Sequence, residues 1–349
     1  MRIHLCSRGL DIYQIDDCYQ MVDQIGNKVV IDSINEGILL KKFNVSLIED
    51  EHSIELLRNL IRKIFYELDK ETAKVFSLSL KDKYLLPNAI SENGYGNGGT
   101  EVRGKVFEMY TNFSIISELD YIKWTNFVDF NKLYDDYFSL VDQGAKHYIE
   151  FLANMRNNIP YKIQIMGGLE NANEVISHDS KVAGLITMSI ISFCSALDVA
   201  GRMSEFLNLI DPKTSDSKIY LDNLNRTYFS DLKKTPLKGY VEDKIFNALI
   251  KLRNDLVHNT GILEFERNCY IGFATPCVNE NKLAYFYIPF RDINEKGEAI
   301  KLNGRRFFNS QENDIDVFLS DVIKTMKLFT GAFQSYVLSE LNTKSLLTN

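Results

Sequence analysis

The chain lacks most features that settle a protein's class at a glance. It has only five cysteines in 349 residues, Cys6, Cys18, Cys194, Cys269 and Cys277, and no two form a CxxC pair. That spacing excludes a disulfide scaffold and favours a reducing, cytoplasmic setting. Cys194 lies in a strongly apolar segment and reads as a core residue. There is no excess of basic charge: 40 Lys and Arg stand against 47 Asp and Glu, for a net charge of -7. A protein that coats itself with nucleic acid over its whole surface is basic, so any such contact must be local to a cleft. No long apolar run is present. The longest weakly polar one, Val182 to Leu197, holds three serines and a threonine and meets Asp198 at once. It reads as a buried central helix rather than a membrane span. The first residues show no apolar core of a secretory signal, so none is expected. Internal repeats are absent as well.

Ligand fingerprints are equally scarce. The glycine-rich string from Gly94 to Gly99 lacks the lysine and the strand-to-helix context of a phosphate loop. His4, His52, His147 and His178 are dispersed, without partners at metal-ligand spacing. Neither a metal nor a cofactor is therefore expected.

What the chain does have is an ordinary apolar fraction, 45%, with 22 Phe and 18 Tyr, enough for a real core. Lys28 to Asp32 reads as a strand, and 37–40 as a weaker one. Helical spacing runs from about 49 to 81 through Ile54, Leu57, Ile61, Ile64 and Phe65. Asn88 to Thr100 carries four glycines and three asparagines and reads as a linker, with a mobile lid as the alternative. A helix is expected from Phe130 to Met155, closed by Pro160. The apolar helix spans about Lys181 to Ile210, closed by Asp211-Pro212. Another helix covers about 239–258. Strands are expected at Cys269 to Ala274 and Leu283 to Pro289, joined by a turn at Asn279 to Asn281, with a further turn at Asn303-Gly304. A last helix runs from about Asn313 to Leu341. The expected fold is mainly α, a helical bundle with a β-hairpin inserted before the last helix. A mixed α/β N-terminal region, 1–100, precedes a helical domain, 101–349, whose core is about 180–340.

One string stands out: Arg253-Asn254-Asp255-Leu256-Val257-His258, at the end of the 239–258 helix. Val241, Ile245, Leu249, Leu252 and Leu256 mark that helix's buried stripe. At about 100° per residue, His258 falls opposite the stripe and Asn254 shares its face. Asn247 and Lys251 lie near the same face. Arg253 sits on the shoulder, roughly 140° from His258, with a side chain long enough to curl into a common pocket. Gly261 is a candidate left-handed cap. Metal-free RNA cleavage needs exactly such types: an imidazole that titrates near neutral pH to carry protons, and a guanidinium fork for the charge on phosphorus. Asn254 would orient the imidazole or bind a phosphate oxygen. The bland alternative is that Arg and His simply favour a helix C-terminus through its dipole.

RNDLVHN resembles the signature of the HEPN superfamily (higher eukaryote and prokaryote nucleotide-binding domain): Arg, four to six residues, then His, often with Asn directly after Arg. The resemblance covers roughly 180–340. It implies an up-and-down bundle of four or five helices that dimerises to pair two motifs. It also implies a metal-independent endoribonuclease of antiviral defence, abortive infection or a toxin system with an antitoxin partner. Arg253, Asn254 and His258 would then be catalytic. A polar or acidic residue on the preceding helix is also common in that family. Ser195, Asp198, Arg202 and Glu205 make such a stripe here, with Asp198 the functional candidate. The alternative is an intrahelical ion pair, Asp198–Arg202 or Arg202–Glu205. Lys301, Arg305 and Arg306, joined by Arg291 and Lys251, are candidate RNA-backbone contacts. A solvated hairpin end is the alternative for the first three. Two readings compete with the nuclease: a non-catalytic RNA- or nucleotide-binding module, and a structural protein whose motif is only a helix terminus.

Overall fold

A computed structural model gives the fold. It describes residues 2–6, 11–15, 18–22, 28–32, 47–48, 118–165, 175–177, 180–209, 228–258, 268–274, 283–302, 306–307 and 313–346. The expected strand at 37–40, the helix at 49–81 and the glycine-rich segment 88–100 lie outside the described residues. So do Asp211-Pro212, Gly261 and the turns at 279–281 and 303–304.

The protein is a mainly α-helical bundle. Its helices are α1 (Glu118–Ile165), α2 (Ser180–Leu209), α3 (Lys238–Val241), α4 (Lys244–His258) and α5 (Ile315–Leu346), with a 3-10 turn at Tyr228–Lys234. The N-terminal strands β1 (Arg2–Cys6), β2 (Asp11–Ile15), β3 (Cys18–Val22), β4 (Lys28–Asp32) and β5 (Leu47–Ile48) form one antiparallel sheet in the order β4-β3-β2-β1-β5. A second sheet, ordered β6-β7-β8, joins Val175–Ser177, Asn268–Ala274 and Leu283–Tyr287; its first strand carries no signal in the sequence. A short pair, β9 (Lys301–Leu302) and β10 (Arg306–Phe307), follows.

Two helix ends differ from expectation. Helix α1 runs on through Pro160 to Ile165, so that proline does not close it. The 239–258 helix is broken into α3 and α4. The break is chemical: Asp243 accepts the Ile245 N–H at 2.7 Å on its side chain and the Asn247 N–H at 3.0 Å on its carbonyl. That is an N-cap, which starts a new helix rather than continuing the old one.

The chain divides into two compact units. The first comprises Met1–Arg58, Leu140–Cys194 and Tyr240–Phe329. Its core is built from Tyr148, Phe151, Ile186, Ile190, Phe193, Phe246, Leu249, Phe318, Val322 and Phe329, all buried. The Phe246 and Phe329 rings meet edge to face at 5.6 Å, a favoured aromatic geometry. Helices α1 and α2 pass closely at Gly144, whose carbonyl accepts the Ser189 hydroxyl at 2.9 Å. A Cβ there would stand 2.8 Å from the Phe193 ring. The start of α5 is tied down by buried acids. Asp314 caps it through the Asp316 N–H at 3.0 Å and also takes the Ile288 N–H at 3.3 Å. Tyr148 of α1 donates its hydroxyl to Asp316 at 2.5 Å.

The second unit comprises Asn59–Ser139, Ser195–Gly239 and Thr330–Asn349. Phe130 packs on Phe206 at 5.8 Å, and Tyr137 on Phe333 at 5.2 Å. Two hydroxyl pairs lie inside it: Tyr137 with Thr330 at 2.8 Å and Ser204 with Tyr336 at 3.2 Å.

Helix α2 contains a 27-residue stretch, Lys181–Leu207, that is long and apolar enough to cross a membrane by length and composition. The stretch is longer than the sequence run suggested. Ile190, Phe193, Ala196, Leu197, Ala200, Met203 and Leu207 within it are buried in the protein, which accounts for the same composition.

Candidate functional site

Helix α4 carries the motif in the first unit and ends at His258. Its apolar side is set by Phe246, Ala248, Leu249 and Leu252, all buried, with Ile245 and Leu256 half-buried. The expected stripe thus holds at Val241, Leu249 and Leu252, and Phe246 widens it toward Arg253. Helix geometry puts Arg253 about 40° from Leu249, on the edge of the buried side. It is half-buried there, whereas Asn254, on the opposite shoulder, is exposed.

Helix α2 fixes this edge. The Cys194 thiol donates to the Leu249 carbonyl at 3.5 Å, four residues before Arg253. Burial pushes that thiol up to about 12, and the nearby Arg253 charge opposes the shift. A cation that stabilises a thiolate must lie within electrostatic reach of the sulfur. Arg253 therefore lies within electrostatic reach of Cys194. Its far end turns outward: Nη1 donates to the Asn254 Oδ1 at 3.0 Å. The long side chain spans from the buried edge to the exposed face, as its length allows. Asn254 stands four residues, about 6 Å along the axis, before His258 on one face.

The upstream end of that face is covered. Lys251 Nζ donates to Glu298 Oε1 at 2.9 Å, both side chains being about half exposed. Glu298 belongs to a turn built by Asn294, whose Oδ1 accepts the Lys296 and Glu298 N–H groups at 2.9 Å each, and whose Nδ2 donates to Glu298 Oε2 at 3.1 Å. The Lys251 and Asn294 donors hold the Glu298 carboxyl below the usual range. Gly297 has φ 73°, and a Cβ on it would stand 2.4 Å from the Lys244 carbonyl oxygen and 2.7 Å from the Ala248 nitrogen. The turn lies directly on the α4 backbone. Sequence reasoning passed over Gly297 and Glu298, although Asn-Glu-Lys-Gly is a turn signature. It also passed over the thiol that braces the motif helix.

The other expected residues scatter. Arg291 is buried, 7% exposed, beside Asp292, a poor position from which to grip an RNA backbone. Lys301 is exposed on β9, and Arg306 lies on β10 in register with Leu302. Arg305 lies outside the described residues. Asp198 belongs to the second unit and pairs with Arg202 one turn on, at 3.2 Å. That is the intrahelical pair, and it gives Asp198 a structural partner. Among the described residues no group of three or more His, Cys, Asp and Glu is placed to hold a metal ion. No protein-family model, no curated protein and no solved structure matches this chain.

Proposed function

We propose that the chain is a HEPN-like, metal-independent endoribonuclease of a defence or toxin system, acting in the cytoplasm. The observation that carries this reading is the reach of Arg253. Its half-buried side chain bonds through Nη1 to Asn254, on the face that ends in His258. Cleavage in this scheme begins when the RNA 2'-oxygen attacks the adjacent phosphorus and loses its proton to a base. The P–O5' bond breaks, the 5'-oxygen takes a proton, and a 2',3'-cyclic phosphate remains. His258 carries one of the protons, as an imidazole near its working pH can. Arg253 faces the negative charge gathered on the phosphate oxygens. Asn254 holds the guanidinium through Oδ1, and its two amide N–H donors serve a phosphate oxygen. One imidazole supplies one proton carrier, so a homodimer that pairs two α4 ends supplies the second. Lys251, Lys301, Arg305 and Arg306 contact the RNA backbone. Asp198 is held by Arg202 within α2, and the scheme draws no proton or phosphate contact from it.

The test is RNA cleavage by the full chain in excess chelator. Wild type should give 2',3'-cyclic ends, and His258→Ala should lose about a hundredfold or more. Unchanged cleavage in that variant overturns the assignment. A second reading has its own support, because Arg253 is half-buried beside Cys194: the motif is then a braced helix terminus. In that case Arg253→Ala lowers the melting temperature, and neither wild type nor variant cuts RNA.

A further inference from the structure

We infer that the Asn294–Glu298 turn is a carboxylate latch, which competes with an RNA phosphate for Lys251 and restrains access to the motif face of α4. The inference rests on the reading that this face binds RNA. Its own basis is geometric. Lys251 and His258 are seven residues apart, two turns, so they share a line along the helix about 10 Å long. A strand that follows that line to His258 passes Lys251, where the Glu298 carboxylate already stands at 2.9 Å. Carboxylate and phosphate oxygens ask the same thing of an ammonium group, a charge-assisted N–H bond.

The latch is held in place, unlike an ordinary surface pair between two flexible side chains. Asn294 bonds both the backbone nitrogen and the carboxylate of Glu298. Gly297, at φ 73°, lets the turn sit against the Lys244 carbonyl and the Ala248 nitrogen, where any side chain would collide. A fixed anion is thereby set on Lys251, the nearest cation of the motif face before Asn254. The ion pair itself is solvent-exposed, and such pairs are weak. It is strong enough to bias binding and weak enough for a phosphate to displace.

The experiment measures binding of a labelled single-stranded RNA oligonucleotide of mixed sequence to the full chain, with His258→Ala as the background so that no RNA is consumed. Adding Glu298→Gln should tighten binding about two- to fivefold, the factor equivalent to a weak exposed pair. It should also steepen the dependence of log K on log salt by about 0.7, one more phosphate contact on a single strand. Glu295→Gln removes the same charge from the same turn without touching Lys251, and should change affinity far less. In a Lys251→Ala chain, Glu298→Gln should have no effect. The latch is overturned if Glu298→Gln binds like its parent, if Glu295→Gln tightens binding equally, or if the gain persists without Lys251. Those results leave RNA binding itself standing. Failure of the parent chain to bind RNA at all overturns both the latch and the RNA-binding reading of the face.

Discussion

Replacing Gly297 with alanine tests how the 294–298 turn meets the motif helix. Two costs apply. At φ 73° the residue occupies the left-handed region, which costs an L-residue with a Cβ about 1–2 kcal/mol. The new methyl would also stand 2.4 Å from the Lys244 carbonyl oxygen, 2.7 Å from the Ala248 nitrogen and 3.0 Å from the Asn247 Cβ. Two of those atoms are backbone within a helix, so no rotamer change can clear them, and forced overpacking costs about 1–3 kcal/mol. Against this, alanine reduces the entropy of the unfolded chain, returning about 0.4–1 kcal/mol. The net loss is about 1–4.6 kcal/mol. The turn can limit that loss by lifting off α4, which breaks the 2.9 Å Lys251–Glu298 bond. Denaturant midpoints report the stability change, and hydrogen exchange at the Gly297 and Glu298 amides, which both bond to Asn294, reports lifting. Gly297→Asn separates the two costs, because asparagine tolerates the left-handed region but still brings a Cβ. Steric collision predicts that asparagine recovers little. An alanine variant with an unchanged midpoint and unchanged amide protection would refute the placement of the turn on the helix.

The remaining predictions concern buried groups. Tyr148→Phe removes the hydroxyl that donates to the fully buried Asp316 at 2.5 Å, and should cost about 1.5–3 kcal/mol, the worth of a hydrogen bond to a charged group; an unmoved urea midpoint would contradict it. Stability should also fall in alkali. The Cys194 thiol ionises near 9.0 in the unfolded chain and is pushed up to about 12 when folded. Between those values the unfolded state binds fewer protons, so the contribution is whole below about pH 9 and is lost as pH rises toward 12, at about 1.4 kcal/mol per pH unit. Tyr137 and Tyr148, whose hydroxyls burial also holds protonated, add to the loss above pH 10. Unfolding midpoints measured from pH 7 upward should show the slope between 9 and 10 in wild type and not in Cys194→Ala; equal slopes would sink the account.

The parts of the fold legible in the sequence are those written by apolar periodicity over many turns. Helix α2 starts and ends within one residue of its expected bounds because every turn of it carries a buried side chain, from Val182 to Leu207. The α5 stripe, Val317, Phe318, Val322, Met326, Phe329, Phe333 and Val337, is buried throughout. Periodicity says less about where a helix stops. Pro160 marked an end that α1 ignores, and the break before α4 depends on which oxygen Asp243 offers to which N–H, a matter of local hydrogen bonding. The three-residue strand Val175–Ser177 is too short for alternation to show; its partner strand defines it. The division into units interleaves distant segments, which no linear composition shift records. At the site, the faces of Lys251 and Asn254 followed from spacing alone. The burial of Arg291 did not, because a basic residue gives no hydropathy signal for the interior.

These placements give α4 two jobs on two sides. Phe246 and Leu249 bury against the core, and the Leu249 carbonyl takes the Cys194 thiol, so the helix cannot rotate without breaking packing. Rotation is what a polar face on an isolated helix would do freely. Fixing the apolar side therefore fixes the directions of Asn254 and the helix end at His258, and Arg253 crosses from one side to the other. The proton transfer proposed for His258 would demand such rigidity, since it works only at hydrogen-bond reach. The net charge of -7 leaves no broad field to draw RNA in, so in the proposed function attraction would come from the few cations beside the motif. On α4 itself those are Arg253, Lys251 and, two turns further upstream, the exposed Lys244, and Lys251 is already spoken for by Glu298. An acidic protein that engages RNA this way would hold its affinity low until that one carboxylate is moved.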